Sequence, residues 1–189
     1  MTAPAPEPLL DPARLIAQQQ PVVLRGLVRD WPLVAKGFEG PEAAVAYLKS
    51  FYTGTAVVGY SGPPEIGGRF FYNADMTAMN FTATRVKLDA FLDRMLATRD
   101  NPHAEALYVG STDLDTYLPG FRAENDLALP LEAFGGATPL ASIWIGNRTT
   151  AATHYDMSNN IACCLVGRRR FTLFPPDQVA NLYPGPLEP

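Results

Sequence analysis

Hydrophobic positions recur at two periods along the chain, and the period predicts where helices and strands lie. Apolar residues spaced i, i+3, i+4, i+7 and i+8 predict an amphipathic helix over 88–96, and a second apolar helical face spans 41–51. Short β-branched or aromatic runs predict strands at 21–28, 55–60, 70–72, 107–109 and 142–146. A hairpin is predicted for 160–166 with 169–174. Helices therefore concentrate in the first half and strands in the second, which favours an α+β fold.

Composition narrows the class of protein. Of the 189 residues, 47% are hydrophobic and 18% charged, which excludes disorder as the general state. The 18 prolines and 15 glycines favour short elements joined by turns. A net charge of −4 argues against a nucleic-acid-coating surface. No apolar run is long enough to cross a membrane, and the first residues do not resemble a signal peptide.

The two cysteines indicate the redox state of the protein, and the prolines near the start indicate its domain organisation. Cys163 and Cys164 are adjacent, and because a bond between neighbouring cysteines is strained, both are interpreted as reduced thiols of a cytoplasmic protein. Residues 1–12 are proline-rich and predict a flexible arm. We expect 13–189 to form one domain, with helices and strands over about 13–140 and a partial barrel over about 141–189.

The strongest local motif is His154-Tyr-Asp156. On an extended segment, residues two apart share a face, so an imidazole and a carboxylate would project together. This pair suits the face of two histidines and one carboxylate that non-haem Fe(II) oxygenases use. Taken alone, the motif is common by chance, and the alternative is a surface histidine beside a turn aspartate.

The sequence around this motif resembles a known family. The similarity lies in Asn160, Gly167, Arg169, the run Leu-Phe-Pro-Pro-Asp-Gln from Leu173, Leu-Tyr-Pro from Leu182, and upstream the segments Pro-Val-Val-Leu-Arg-Gly from Pro21 and Asp-Trp-Pro from Asp30. It is a resemblance to the cupin-like and Jumonji-C (JmjC) Fe(II)- and 2-oxoglutarate-dependent oxygenases, nearest to the asparaginyl hydroxylase that inhibits hypoxia-inducible factor. The resemblance implies helices and strands leading into a double-stranded β-helix, the cupin or jelly-roll fold.

The same resemblance implies roles for five residues. His154 and Asp156 correspond to the first two iron ligands, and Asn160 to a polar residue near the cosubstrate. Tyr108 and Arg169 correspond to the groups that bind the distal carboxylate of 2-oxoglutarate, where Arg169 replaces a frequent lysine. A guanidinium suits this task because it can hold a carboxylate by two parallel hydrogen bonds. Strand alternation favours this assignment by placing Arg169 on an inward face with Phe171 and Leu173; the alternative is that the three consecutive arginines form a solvated turn.

The third iron ligand is missing from this sequence. The family's second histidine lies well downstream of the motif, but the chain has two histidines in all, none after His154, and 33 residues after Asp156 are too few to close an eight-stranded barrel. One reading is that the chain is the N-terminal portion of a longer hydroxylase, so that its β-helix is incomplete at the C-terminus. A second is that His103 supplies the ligand. A third is a non-catalytic cupin-like binding or assembly module with a vestigial metal site, whose open strand edge would favour a homodimer.

The function expected from the resemblance is that of an enzyme. It would be an iron- and 2-oxoglutarate-dependent dioxygenase that hydroxylates a protein side chain or another macromolecule such as RNA, with oxygen as the second cosubstrate. A cupin that uses another divalent metal is a further reading. No membrane partner is expected.

Overall fold

In a computed structural model, residues 10–186 are described, and they form short helices and strands. The helices are α1 (Pro12–Gln18), α2 (Pro32–Glu39), α3 (Pro41–Phe51), α4 (Leu88–Thr98) and α5 (Leu114–Tyr117). The strands are β1 (Val57–Gly62), β2 (Arg69–Phe70), β3 (Thr82–Val86), β4 (Ala106–Asp113), β5 (Ser142–Gly146) and β6 (Thr150–Ala151). Short 3-10 helices lie at Pro64–Ile66, Phe121–Ala123, Leu131–Phe134 and Pro176–Asn181. The α+β fold class is therefore confirmed.

Several prolines begin helices. The first residue of α1, α2 and α3 is a proline in each case, a position where the missing N–H has no helical partner to lose. Asp11 caps α1 by accepting a hydrogen bond from the Arg14 backbone N–H at 3.0 Å. The predicted arm over 1–12 lies mostly outside the described residues, and its last position, Pro12, belongs to this capped helix instead.

The main sheet has four strands in the order β3-β1-β4-β5, and β2 pairs in parallel with β6 in a second, two-stranded sheet. β1 is antiparallel to both of its neighbours. In the register between β1 and β4, Tyr60 lies directly opposite Tyr108. The two tyrosines therefore project from the same face of the sheet.

The described residues divide into two compact units. Residues 10–53, 113–142 and 155–166 form what we call the helical unit, and residues 54–112, 143–154 and 167–186 form the sheet unit. The apolar core of the helical unit consists of Leu33, Ala44, Leu48, Leu114, Leu118 and Phe121. That of the sheet unit consists of Val57, Leu88, Phe91, Leu92, Met95, Ala106, Leu107 and Val109. The buried face of α4 is the one that its periodicity predicts.

The helical unit is tied together by one buried amide. Asn125, only 2% exposed, accepts a hydrogen bond from the Leu33 backbone N–H at 3.0 Å. Its Nδ2 donates to the Tyr47 hydroxyl at 2.9 Å and to the Phe121 carbonyl at 3.1 Å. Since Leu33 lies at the start of α2 and Tyr47 in α3, this side chain links both helices to the turn that follows Phe121.

A predicted strand and a predicted hairpin are wrong. Residues 21–24 have no regular structure and residues 25–30 form turns, with Gly26 at a φ of +78°. The segments 160–166 and 169–174 form no hairpin, because no strand of the described chain pairs with them. Phe171 and Leu173 are 59% and 63% exposed rather than facing inward. A strand needs a partner's hydrogen bonds, and β-propensity alone does not supply one.

The predicted strand over 70–72 is shorter than expected. β2 ends at Phe70, and Tyr72 forms an isolated bridge with Met79. Within residues 10–186, no helix has the length and apolar character that crossing a bilayer requires.

We predict that Asn125→Ala lowers the free energy of unfolding by about 1–3 kcal/mol, because it leaves the buried Leu33 N–H without its acceptor. Urea unfolding followed by circular dichroism measures this change. Asn181→Ala is the matched control, since Asn181 is exposed and its amide donates to the side chain of the nearby Gln178. Equal stability of the two variants would contradict the role of Asn125.

Candidate functional site

Tyr108 lies at the centre of a set of aromatic rings, which we call the ring cluster: Tyr60, Phe70, Phe81, Tyr108 and Trp144. Around Tyr108, the ring centroids of Tyr60, Phe70 and Trp144 lie at 6.3, 5.9 and 6.0 Å. Phe81 closes the set by packing edge-on against Tyr60 at 5.7 Å and Phe70 at 5.1 Å. Tilted and edge-on pairs at these distances are mutually attractive. The Tyr108 ring is therefore held by rings from β1, β2 and β5.

The backbone beside Tyr108 is fixed by Asn147. Its Oδ1 accepts from the Leu107 N–H at 3.0 Å, and its own N–H donates to the Leu107 carbonyl at 3.2 Å. Its Nδ2 donates to the Glu105 carbonyl at 2.9 Å. Because Asn147 directly follows β5, these three bonds tie the end of that strand to the start of β4.

Arg169 meets the hydroxyl of Tyr108. The guanidinium lies close enough to the tyrosine for its charge and hydrogen bonding to act on the pKa of the phenol, and it lies 5.5 Å from the ring centroid of Phe171. Burial raises the pKa of Tyr108, while the charge and hydrogen bond of Arg169 act in the opposite direction. Arg169 is itself exposed. The pair therefore places a neutral phenol beside a permanent cation that solvent, or an anionic ligand, can reach.

His154 is exposed just beyond β6, and its tautomer follows from one contact. Nδ1 lies 2.7 Å from the carbonyl oxygen of Ala152. Since a carbonyl can only accept, Nδ1 carries the proton and donates, and Nε2 of the neutral ring keeps its lone pair. Histidines that ligate metals through one nitrogen commonly hold the other in this way.

Asp156 is held by Asn160. The Asn160 Nδ2 donates to Asp156 Oδ2 at 2.9 Å, and both residues are exposed. The resemblance placed Asn160 near the cosubstrate, whereas here its amide orients the carboxylate. A hydrogen bond to one carboxylate oxygen fixes the direction of the other.

The predicted site residues thus fall into two groupings. The structure brings Tyr108 together with Arg169 in the sheet unit, and Asp156 together with Asn160 in the helical unit. The sheet unit also holds His154. The expected extended strand through the His-X-Asp motif does not form, because β6 ends at Ala151 and the chain bends at Thr153.

His103, the alternative third ligand, is exposed in the turn that follows α4, where its backbone N–H donates to the Asn101 side chain at 2.9 Å. Across residues 10–186, no three histidine, cysteine, aspartate or glutamate side chains gather as a metal-binding group would. Within residues 10–186, neither Cys163 nor Cys164 forms a disulfide, and burial is the main cause of the raised pKa of Cys163.

Several residues of this site are not apparent from the sequence. The resemblance assigned a role to Tyr108, but Tyr60, Trp144 and Asn147 had no assigned role, and Phe70 was predicted only to lie in a strand. A signal was present for one of them, since Tyr60 lies in a predicted strand as Tyr108 does. Their contact depends on the register between β1 and β4, which is a non-local property.

Comparison with known proteins identifies the family. The family model described as "Cupin-like domain" matches residues 8–189. The chain belongs to this cupin-like family, and the helices and antiparallel sheet described above agree with a jelly-roll fold.

Curated relatives carry the Jumonji name. The chain is 25% identical over 180 residues to JmjC domain-containing protein D of Dictyostelium discoideum, an alignment that covers 87% of this chain and 37% of the relative. It is 25% identical over 173 residues to Jumonji C domain-containing protein 5 of Drosophila melanogaster, covering 87% of this chain and 38% of that protein. The chain thus spans less than two fifths of the length of these relatives. No solved structure matches it. These comparisons confirm the predicted resemblance to cupin-like and JmjC proteins at the level of the family.

We predict that Arg169→Gln raises the pKa of Tyr108 further above its ordinary value, because the substitution removes the cation that favours the phenolate while burial remains. The tyrosinate absorbance of each protein, minus that of the same protein carrying Tyr108→Phe, isolates this one titration. Arg168→Gln, at an exposed neighbouring position, should leave the titration unchanged. A fall in the pKa on removing Arg169 would contradict the assigned contact.

Proposed function

We propose that this chain forms part of an Fe(II)- and 2-oxoglutarate-dependent dioxygenase, and that Tyr108 and Arg169 bind the distal carboxylate of 2-oxoglutarate. The observation that carries the proposal is the proximity of these two side chains, which is close enough for the charge and hydrogen bonding of Arg169 to act on the pKa of Tyr108. They lie far apart in the sequence, and the family resemblance assigns both of them to the same carboxylate.

The chemistry of the pair suits a carboxylate. Arg169 stays charged at any physiological pH and offers parallel N–H donors, while the phenol of Tyr108 supplies a neutral O–H donor. The ring cluster adds an apolar wall beside them, and hydrogen bonds to an anion strengthen where water is displaced. The exposure of Arg169 leaves its remaining donors accessible to a ligand.

The donors of the motif suit iron. His154 would contribute Nε2, whose lone pair the Ala152 contact preserves, and Asp156 would contribute a carboxylate oxygen oriented by Asn160. Fe(II) bound with 2-oxoglutarate supplies the activation of oxygen and the oxidative decarboxylation of the cosubstrate. No histidine follows His154 in this sequence, so the proposal assigns two ligands, and binding is tested separately from turnover.

The substrate of the reaction is proposed to be a protein side chain. The closer resemblance to an asparaginyl hydroxylase stays a prediction, and it makes asparagine-containing peptides the first substrates to test. The net charge of −4 disfavours RNA as the alternative macromolecule.

We predict that 2-oxoglutarate binds to the wild-type chain in the presence of Mn(II), and that Arg169→Gln weakens binding about tenfold to a hundredfold by removing charge-assisted hydrogen bonds. Isothermal titration calorimetry measures both affinities. Arg169→Lys should give an intermediate affinity, since it keeps the charge and loses the planar fork. Arg168→Gln should bind as the wild type does.

The result that would reject the cosubstrate assignment is equal affinity of wild type and Arg169→Gln. Absence of 2-oxoglutarate binding by the wild-type chain would favour the alternative, a non-catalytic cupin-like binding or assembly module.

The assignment of the metal ligands is tested by the same calorimetric measurement. We predict that His154→Ala abolishes binding of Mn(II), because it removes the nitrogen that the Ala152 contact prepares for a metal. His103→Ala is the matched control and should bind Mn(II) normally, since this exposed histidine lies in a separate turn. If His103→Ala loses Mn(II) binding and His154→Ala keeps it, His103 is the metal ligand and the assignment of His154 is wrong.

A further inference from the structure

Two glycines face the rings of Trp144 and Tyr108 across the neighbouring strands β4 and β5. A Cβ atom at Gly146 of β5 would lie 2.8 Å from Cδ2 of Tyr108, and a Cβ atom at Gly110 of β4 would lie 2.6 Å from Cε3 of Trp144. The arrangement is reciprocal: the aromatic ring of each strand lies over the glycine of the other. Neither glycine has a positive φ, so the backbone conformation alone does not require glycine at either position.

A contact of 2.8 Å at Gly146 is too short to persist, so the Tyr108 ring has to shift. Tyr108 is surrounded by Tyr60, Phe70 and Trp144, and Trp144 is in turn limited by the backbone of Gly110. The strands themselves are tied together by Asn147, next to Gly146. A methyl group at position 146 therefore displaces the Tyr108 ring rather than being absorbed by its surroundings.

We propose that Gly110 and Gly146 are positioning residues that set the direction of the Tyr108 hydroxyl toward Arg169. This inference rests on the proposed function, because the Tyr108–Arg169 pair is the assigned carboxylate site. Neither glycine is assigned a contact with the ligand. Both act by fixing the position of the Tyr108 ring. The absence of a side chain at each position is the specific requirement.

The first test is Gly146→Ala, read out on Arg169 itself. The Nε–H resonance of Arg169 in a proton–nitrogen correlation spectrum is assigned by its loss in Arg169→Gln, and Tyr108→Phe gives its position without the phenol contact. We expect Gly146→Ala to shift this resonance in the same direction as Tyr108→Phe. We also expect the affinity for 2-oxoglutarate with Mn(II) to fall about tenfold, the loss of roughly one hydrogen bond to a charged group.

A nearby threonine needs its own control. The added Cβ would also lie 2.7 Å from Oγ1 of Thr149, a short side chain that can rotate away. The double variant Gly146→Ala with Thr149→Ala removes that contact and keeps the clash with the ring. We expect it to resemble Gly146→Ala. Recovery of the wild-type resonance and affinity would show that Thr149, and not Tyr108, carries the effect, and would overturn the inference.

Two further glycines separate positioning from loss of stability. Gly59→Ala places a Cβ 2.7 Å from Val86 and 3.0 Å from Phe91, in the same unit and on the face of β1 opposite to Tyr60. It should lower the melting temperature and leave the Arg169 resonance in place. Gly185→Ala makes only an ordinary 3.5 Å contact and should change neither. A shift of the Arg169 resonance in Gly59→Ala equal to that in Gly146→Ala would overturn the positioning role.

If Gly146→Ala does not fold, Gly110→Ala tests the same ring from the other side, since its methyl group displaces Trp144 against Tyr108. The inference fails if the variant that folds leaves the Arg169 resonance at its wild-type position. The proposed function is judged separately by 2-oxoglutarate binding to the wild-type chain. A wild type that does not bind this ligand rejects the function, and the resonance still decides whether the glycines position Tyr108.

Discussion

The antiparallel pairing of β1 with β4 is the constraint on which the candidate site depends. Leu107 and Val109 are fully buried on one face of β4, so Tyr108 between them must project from the other face. The register then places Tyr60 opposite Tyr108. A slip by one residue would exchange the two faces and bury the tyrosine in the core. The burial of two aliphatic residues thus decides the direction of one phenol.

The site combines a fixed partner with an accessible one. Tyr108 lies among rings on a strand that Asn147 ties to its neighbour, whereas Arg169 is exposed and comes from a segment without strand pairing. In the proposed function, the tyrosine supplies the precise direction and the arginine supplies the charge that attracts the carboxylate. His154 and Asp156 are each oriented by one hydrogen bond. Nδ1 of His154 contacts the Ala152 carbonyl oxygen, and Oδ2 of Asp156 accepts from Asn160.

Local patterns predicted local structure well. The helices over 41–51 and 88–96 were predictable because the spacing of their apolar residues repeats within a few turns. The strands near 107–109 and 142–146 also agree with prediction. The strand at 21–28 does not form, since it had a suitable composition and no partner. The prolines, whose number favoured short elements, also mark where three of the helices begin.

By itself, the sequence determined the kinds of chemical group available: a phenol, a guanidinium, an imidazole and a carboxylate, at spacings that resemble an oxygenase family. Only the tertiary structure decided which of them meet. Tyr108 and Arg169 come together although they lie far apart in the sequence and Arg169 is in a segment without strand pairing, and Asp156 is oriented by Asn160. Composition and periodicity record the burial of a residue, but a hydrogen-bond partner is set by contacts between segments that no local pattern encodes.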